Sequence, residues 1–185
     1  MAAQTNVYTG SNGVLTLANE DTPEGNDAKV IIEFEEMQTV GRVTGVEVHV
    51  MTDLQEYHEV GRRHATSLHP GNIHISGRIE RAHINGGLLF LLLGQGARST
   101  AVAEPYVQPT FTMVLTMQDP AFPANKAALE IKGVKLQSWN FTMPEEDFVM
   151  ENVTFRALTV RVVGGVSSGG GPTVAEAPAF PAATA

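Results

Sequence analysis

The chain has 185 residues, the usual size of one domain, and 43% of them are hydrophobic, which is enough for a sizeable core. Its formal net charge of -8 argues against a protein that grips nucleic acid, because phosphate contacts need an excess of lysine and arginine. The absence of cysteine excludes a disulfide framework, a thiolate metal site and a cysteine nucleophile. The 18 glycines and 10 prolines, against 6% aromatic residues, favour short strands joined by turns.

The first half of the chain alternates between apolar and polar residues in three segments. In segment 29–37 the pattern predicts a strand with Val30, Ile32 and Phe34 inward and Glu33 and Glu35 outward. Segments 43–51 and 72–81 repeat the period of two, so we expect two more strands there. Between them, segment 52–71 is polar and is predicted to be a long loop.

The second half predicts one helix and three further strands. Six apolar residues in a row indicate a largely buried helix in segment 84–93, with Gly94 as its stop. Segment 110–118 alternates and is predicted to be a strand. Two long strands, 127–142 and 148–163, are expected to form a hairpin through an acidic connection. In the second one the apolar side switches to Leu158, Val160 and Val162, which predicts a bulge or corner.

Two domain-level features complete this interpretation. Residues 1–164 are predicted to form one β domain, and residues 165–185, rich in glycine, serine, alanine and proline, a flexible tail. The first residues lack the regions of a signal peptide, and no run of about 18 apolar residues could span a bilayer, so no membrane anchor is expected.

The sequence offers little that points to catalysis. Residues 165–169 match the spacing of a nucleophile elbow, but Gly170-Gly171-Pro172 follows where a helix is required. All six histidines lie between His49 and His83 without the i, i+4 spacing of a helical zinc site, which favours solvated or interface histidines. The acidic clusters have no ligand-loop spacing. We therefore predict no catalytic residue, no cofactor and no metal, and interpret the chain as a structural protein.

Three features resemble the tail tube proteins of tailed bacteriophages and the related tube subunits of contractile injection systems. One is the passage from VGRR (60–63) through PGNIHISGRIERA (70–82) to the LLFLLL run (88–93). Another is VKLQSWNFTMP (134–144) followed by EEDFVME (145–151). The third is the order of strands, one helix and strands, over about residues 10–163. The resemblance implies a β-sandwich or partial barrel with one flanking helix, which completes a shared barrel in a ring.

The resemblance also implies a function. Hexameric rings would stack into a tube through which DNA passes without specific binding. The tube would be a component of the virion, assembled in the cytoplasm of the bacterial host. Its implied partners are copies of itself and the tape measure, tail terminator, baseplate and sheath proteins.

Two sets of residues follow from this picture. Glu33, Glu35 and Glu47 are candidates for lining the channel, because each is predicted opposite an apolar face and carboxylates repel phosphates. Arg62, Arg63 and His64, in segment 52–71, are candidates for contacts between subunits or rings. Two other functions stay open, namely the inner tube of an injection or secretion machine, and a monomeric β-sandwich binding module.

Overall fold

The computed structural model describes residues 8–94, 107–118 and 126–163. A short 3-10 turn, Gly10–Asn12, precedes the first strand. The fold is mainly β, as predicted, and consists of a curled half-barrel sheet with two helices in the described ranges. None of the described helices is long and apolar enough to cross a membrane. The elements are β1 (Gly13–Asn19), α1 (Pro23–Phe34), β2 (Val43–Tyr57), β3 (Ser67–Ala82), α2 (Gly87–Leu93), β4 (Phe111–Gln118), β5 (Lys126–Thr142), β6 (Met150–Ala157) and β7 (Thr159–Val163).

The long strand β5 joins two parts of the sheet. The strand order is β1-β4-β5-β6-β3-β2, all neighbours are antiparallel, and β7 also pairs with β5. Up to Val134, β5 pairs with β4 and β7, whereas from Lys135 it pairs with β6. We call β1, β4, β7 and residues 126–134 the first half-sheet. The second half-sheet consists of β2, β3, β6 and residues 135–142.

One hydrophobic core lies between the helices and the inner face of the sheet. Helix α1 contributes Ala28, Ile31 and Ile32, and α2 contributes Leu88 and Leu91. Both half-sheets contribute to this same cluster, so the long strands serve one core. The sheet residues in it include Leu15, Leu17, Ile79, Phe111, Met113, Ile131, Val134, Leu136, Val153 and Phe155.

Helix α1 overturns the strand predicted for segment 29–37, and the described ranges contain two helices where one was predicted. Pro23 occupies the first helical turn, and the Thr22 hydroxyl caps the helix by accepting a 3.0 Å hydrogen bond from the Gly25 amide. Residues at helical spacing are the buried ones, whereas Val30 and Phe34 are more than half exposed. The alternation of apolar and polar residues in segment 29–37 was therefore misleading, because the apolar residues of the pattern are not all on the buried side of the helix.

Segment 52–71 is also not a long loop. Strand β2 continues to Tyr57 and β3 begins at Ser67, so only residues 58–66 connect them. The predicted strands 43–51 and 72–81 are confirmed but too short. The extra length was missed because this part of the hairpin is exposed on both faces and shows no simple buried pattern.

Strand β1 was not predicted, whereas the other remaining elements largely follow the prediction. Helix α2 ends at Leu93, and Gly94, with a φ of 72°, terminates it as expected. Strands β4 and β5 match segments 110–118 and 127–142. Segment 148–163, however, is two strands with a corner at Leu158, whose amide donates to the Lys132 carbonyl at 3.0 Å. The corner was predicted, but the inward direction of Leu158 and Val162 was wrong, since both are exposed. The boundary at residue 164 and the predicted tail lie outside the described residues.

Candidate assembly interface

The second half-sheet has a continuous polar face on the side away from the core. Side chains opposite one another in an antiparallel sheet lie on the same face, so the register defines rows that cross all four strands. These rows alternate with the apolar rows that enter the core. We call this surface the polar face. Its rows are Glu47–Arg78–Thr154–Ser138, His49–Ser76–Arg156–Lys135, and Gly45–Glu80–Asn152–Asn140, and Gln137 adjoins the second row at a bulge in β5.

The polar face carries charges of both signs, and Arg78 at its centre is paired with two carboxylates. The Arg78 guanidinium donates to Glu47 Oε1 at 3.0 Å and lies 3.3 Å from Glu80 Oε1. The Arg156 guanidinium donates to Gln137 Oε1 at 3.2 Å. The rows thus hold two carboxylates, two guanidinium groups and the Lys135 amino group, beside His49, hydroxyls and amides. A surface of this kind is hydrophilic without a strong net charge.

The core side of the same half-sheet contains a buried ion pair. Arg81 and Glu151 are 1% and 0% exposed, and the guanidinium donates from Nε to Glu151 Oε1. Glu151 Oε2 accepts from Trp139 Nε1 at 2.9 Å, and Arg81 Nη2 donates to Asn85 Oδ1 at 3.1 Å. His83 Nδ1 lies 3.4 Å from Glu151 Oε2, without a hydrogen-bond partner among the described residues. The network joins β3, β5 and β6 to the segment before α2, so its role is structural.

Both edges of the second half-sheet lack a partner strand in the described part of the chain. Strand β2 pairs only with β3, and beyond Val134 strand β5 pairs only with β6. By contrast, the edge of β1 is covered by the segment after α1, since Leu17 N donates to Gln38 O at 2.8 Å and Val40 N to Leu15 O at 2.9 Å. Unpaired edges present rows of N–H and C=O groups that can pair with another chain.

The β2–β3 hairpin extends well beyond the core. From Ala82 to Ser67, β3 spans 15 residue steps, or about 50 Å if fully extended. Its far half carries Val50, Leu54, Leu68 and Ile73, each more than half exposed. The register places these side chains on one face of the hairpin. Nearer the base of the hairpin, this same face points into the core. The apolar face of the hairpin therefore continues past the residues that cover it.

Arg62, Arg63 and His64, the predicted contact residues, lie at the hairpin tip. All three are exposed, and Val60 beside them is fully exposed. Arg62 Nε lies 3.3 Å from Glu59 Oε2, whereas Arg63 has no ion-pair partner among the residues that the structure describes. The tip is therefore a polar loop with free positive charge at the end of a long arm.

The three predicted lining residues are not together. Glu47 lies on the polar face. Glu33 lies in the last turn of α1, 3.9 Å from Lys29 Nζ, and Glu35 is the residue that ends this helix. Since α1 packs on the core side of the sheet, Glu33 and Glu35 are separated from Glu47 by the core. The strand on which their prediction rested does not exist.

The histidines do not form a metal centre in the described ranges, where no group of three potential ligands meets. His74 Nε2 lies 3.1 Å from Asp53 Oδ2, and His49 Nε2 lies 3.6 Å from Glu47 Oε2. Both contacts are on exposed surfaces of the hairpin. They are therefore surface contacts, the first across the hairpin and the second along β2.

One open cleft of about 750 Å³ lies where α1 begins, beside the corner at Leu158. It holds an ion pair, with Lys135 Nζ 2.6 Å from Glu24 Oε2 and the Thr110 hydroxyl donating to the same oxygen at 2.8 Å. The hydrogen bond from Lys135, together with that from Thr110, lowers the pKa of Glu24 below its ordinary value. The polar groups of this cleft thus satisfy one another, which suits packing of α1 onto β5.

Comparisons by sequence find no matching protein family and no matching curated protein. Comparison with known structures does find similar folds. A chain of the sheath-tube complex of the PVC extracellular contractile injection system, in its extended state, aligns with a TM-score of 0.58 at 11% identity, covering 86% of this chain and 93% of that one. A chain of the anti-feeding prophage baseplate gives 0.56 at 12% identity, covering 89% and 98%. The SPP1 tail tube gives 0.52 at 11% identity, covering 86% and 81%.

These likenesses cover 86–89% of this chain and 81–98% of each similar one. They include a phage tail tube, a chain of a contractile injection system and a chain of the anti-feeding prophage baseplate. At this level of identity they establish a shared fold. The resemblance to tail tube proteins inferred from the sequence is confirmed in that sense: the chain has the fold of tail tube and injection-system tube proteins.

Proposed function

We propose that this protein is a structural subunit of a phage tail tube, without enzymatic activity, in which hexameric rings stack around a channel for DNA. The observation that carries the proposal is the second half-sheet. It is apolar on one face, polar on the other, and unpaired at both edges in the described part of the chain. Joining such sheets edge to edge pairs the free backbone groups and surrounds a space lined by the polar face.

The two unpaired edges belong to different strands, so the contact between copies is heterologous. The β2 edge of one copy would pair with residues 135–142 of the next. A head-to-tail contact of this kind closes into a ring when the rotation is right, and closure pairs both free edges of the second half-sheet. The polar rows then continue from copy to copy around the channel.

The exposed half of the β2–β3 hairpin has a role in this assembly. Val50, Leu54, Leu68 and Ile73 form an apolar surface that water solvates poorly, and a neighbouring copy would cover it. Arg62, Arg63 and His64 at the tip would then contact another subunit or ring. This is the contact role predicted for segment 52–71.

The polar face suits the passage of DNA. Arg78, the cation at its centre, is held by Glu47 and Glu80, so it is not available to bind a phosphate tightly. In this arrangement Glu47 lines the channel, whereas Glu33 and Glu35 face the outside of the tube. The lining is therefore hydrophilic and of mixed charge, in place of the acidic lining expected from the sequence.

The proposed partners follow from the same fold likeness. The similar chains come from a sheath-tube complex and a baseplate. We propose that this tube likewise contacts sheath, baseplate and terminator proteins and encloses a tape measure protein. Assembly would take place in the cytoplasm of the bacterial host, and the tube would form part of the virion.

Edge pairing can be tested by cross-linking, because the chain has no cysteine of its own. Within one copy, Glu47 and Ser138 lie three strands apart, about 14 Å, which is beyond the reach of a disulfide. In the variant Glu47→Cys with Ser138→Cys, oxidation should therefore produce a ladder of covalent oligomers that ends at the ring size. Asn140 and Thr142 lie on the same face of β5 as Ser138. A cysteine at either position, in place of Ser138→Cys, tests the cross-link in other registers between the two copies.

Single-cysteine variants are the matched controls, since each can form at most a dimer. Electron microscopy of the unmodified protein should show rings or tubes with a central hole. A chain that stays monomeric in microscopy and sedimentation would contradict the proposed function. Rings without a ladder for any cysteine pair would show that the copies join by other edges.

A second candidate is the inner tube of an injection or secretion machine, which passes protein. The fold likeness supports it as well, because one of the similar chains comes from the sheath-tube complex of an extracellular contractile injection system. Neighbouring genes separate the two: capsid and terminase genes indicate a phage, and effector genes indicate an injection machine.

A further inference from the structure

The two ends of the second half-sheet carry opposite exposed charges. At one end is the hairpin tip with Arg62, Arg63 and His64. At the other end, where β3 ends at Ala82 and β6 begins at Met150, the β5–β6 turn carries Glu145, Glu146 and Asp147. All of these residues are exposed. In the described part of the chain, neither Arg63 nor Glu145 or Glu146 has a charged partner.

Each end also exposes apolar side chains next to its charges. Val60 projects fully from the tip, and Met143 and Phe148 beside the acidic turn are 73% and 77% exposed. Exposed charge alone is ordinary surface. Uncovered apolar side chains rimmed by charged ones are typical of a surface that another protein covers.

The direction of the strands decides which surfaces these ends can meet. If the β2 and β5 edges join around a ring, the strands run along the tube axis with a tilt of roughly 35–45°. The ends of the strands then point to the rings above and below. The basic tip and the acidic turn, up to about 50 Å apart on one copy, therefore face opposite neighbours along the axis.

We propose that rings stack through the basic hairpin tip of one copy binding the acidic β5–β6 turn of a copy in the next ring. Arg62, Arg63 and His64 meet Glu145, Glu146 and Asp147, while Val60 packs against Met143 and Phe148. The contact is heterologous and open, so it repeats without limit along the axis and gives the tube a direction. This inference rests on the proposed function, since it requires rings.

Charge reversal tests this contact. R62E/R63E and E145K/E146K should each leave rings intact and reduce the protein in tubes at least about tenfold, because every copy in a ring loses its contact and weak contacts add across the ring. The combined variant R62E/R63E/E145K/E146K exchanges the signs and should restore tubes. Sedimentation and electron microscopy measure rings and tubes separately.

E33K/E36K is the matched control, because it changes the charge as much as E145K/E146K but at the helix side of the core. It should leave tube formation unchanged. Raising the salt concentration to about 1 M, where screening acts within about 3 Å, should convert unmodified tubes into rings. Circular dichroism verifies that each variant is folded.

The outcomes separate this inference from the proposed function. Absence of rings in the unmodified protein contradicts the proposed function. Two outcomes overturn the tip-to-turn contact and leave the proposed function intact. One is that tubes persist in R62E/R63E. The other is that the combined variant forms rings but does not recover tubes. A milder variant, Arg63→Gln, should lie between the unmodified protein and the reversal in the fraction of tubes.

Discussion

The near and far halves of the β2–β3 hairpin have the same alternation but opposite burial. Near the base, Ile79 is 1% exposed and packs in the core with Val153. Three pairs farther out on the same face of β3, Ile73 is 65% exposed. The residue type, the strand and the face are identical. Only the presence of covering elements differs.

This difference separates folding from assembly. The near half is covered by α1, α2 and the other strands, so its apolar residues stabilise the monomer. The far half has no cover within the described chain, so its apolar residues lower the free energy only when another molecule packs on them. Substitutions in the near half should therefore act on the folding equilibrium of the monomer, and substitutions in the far half on the association of copies.

The largest effect is expected at the buried ion pair in the near half. Glu151→Gln leaves the Arg81 guanidinium buried without its counter-ion, which should lower the free energy of unfolding by about 3–5 kcal/mol. Urea denaturation at concentrations where the chain is monomeric measures the change. The exposed pair on the polar face is the control: Glu47→Gln should cost at most about 1 kcal/mol.

A double substitution verifies the cause. R81M/E151L removes both charges and fills the space with apolar side chains, so it should recover much of the stability that Glu151→Gln loses. If the loss of stability in R81M/E151L equals the sum of the losses in the single variants R81M and E151L, the two charges are not coupled. Trp139, which donates to Glu151, would then be the partner that matters.

The next effect compares the two isoleucines directly. Ile79→Ala removes a fully buried side chain and should cost about 2–5 kcal/mol, the transfer free energy plus the cavity. Ile73→Ala should change monomer stability by no more than about 0.5 kcal/mol. Thermal and urea unfolding of both variants measure the difference. Equal losses would show that the far half is covered within the monomer.

Period-two patterns predicted where the strands are, but not what covers them. They located β2, β3, β4 and β5, because each has a buried and an exposed face for at least part of its length. They failed at α1, where the polar and apolar residues of segment 29–37 alternate by chance. The better signal was upstream, since Thr22-Pro23-Glu24 is a helix start with a cap and a proline in the first turn.

The candidate interface was only partly visible in the sequence. Glu47 and Arg78 were on faces predicted to be polar, whereas their continuation to Thr154 and Ser138 depends on strand pairing across more than 70 residues. The buried ion pair was missed, although Arg81 has the same parity as Ile79 and Glu151 the same parity as Val153. A charged residue on an apolar face was the available signal, but the sequence does not identify its partner 70 residues away.

A third effect concerns assembly more than stability. L54S/I73S makes the far half of the hairpin polar and should leave monomer unfolding within about 0.5 kcal/mol of the unmodified chain, because both residues are exposed. Rings or tubes should be lost, since the apolar surface that a neighbour covers is gone. Sedimentation velocity measures this. A matched change outside the hairpin, Val30→Ser on α1, should leave assembly intact; normal assembly of L54S/I73S would show that the far half makes no contact.

The smallest effect is expected from a partly exposed ion pair, that of Glu24 with Lys135. The hydrogen bonds from Lys135 and Thr110 hold the pKa of Glu24 below its ordinary value in the folded chain. A lowered pKa means that the unfolded chain binds this proton more readily than the folded one. The stabilisation by this ion pair is therefore present above the pKa of the unfolded carboxyl, and it is lost as the pH falls through the pKa of Glu24 in the folded chain.

Thermal unfolding between pH 6 and pH 3, roughly the span that brackets a carboxyl titration, measures this dependence. Stability should fall less steeply with pH in Glu24→Gln than in the unmodified protein. Glu47→Gln, at a pair with Arg78 on the polar face, serves as the comparison variant, and an unchanged slope for Glu24→Gln would mean that its contact with Lys135 does not persist in solution.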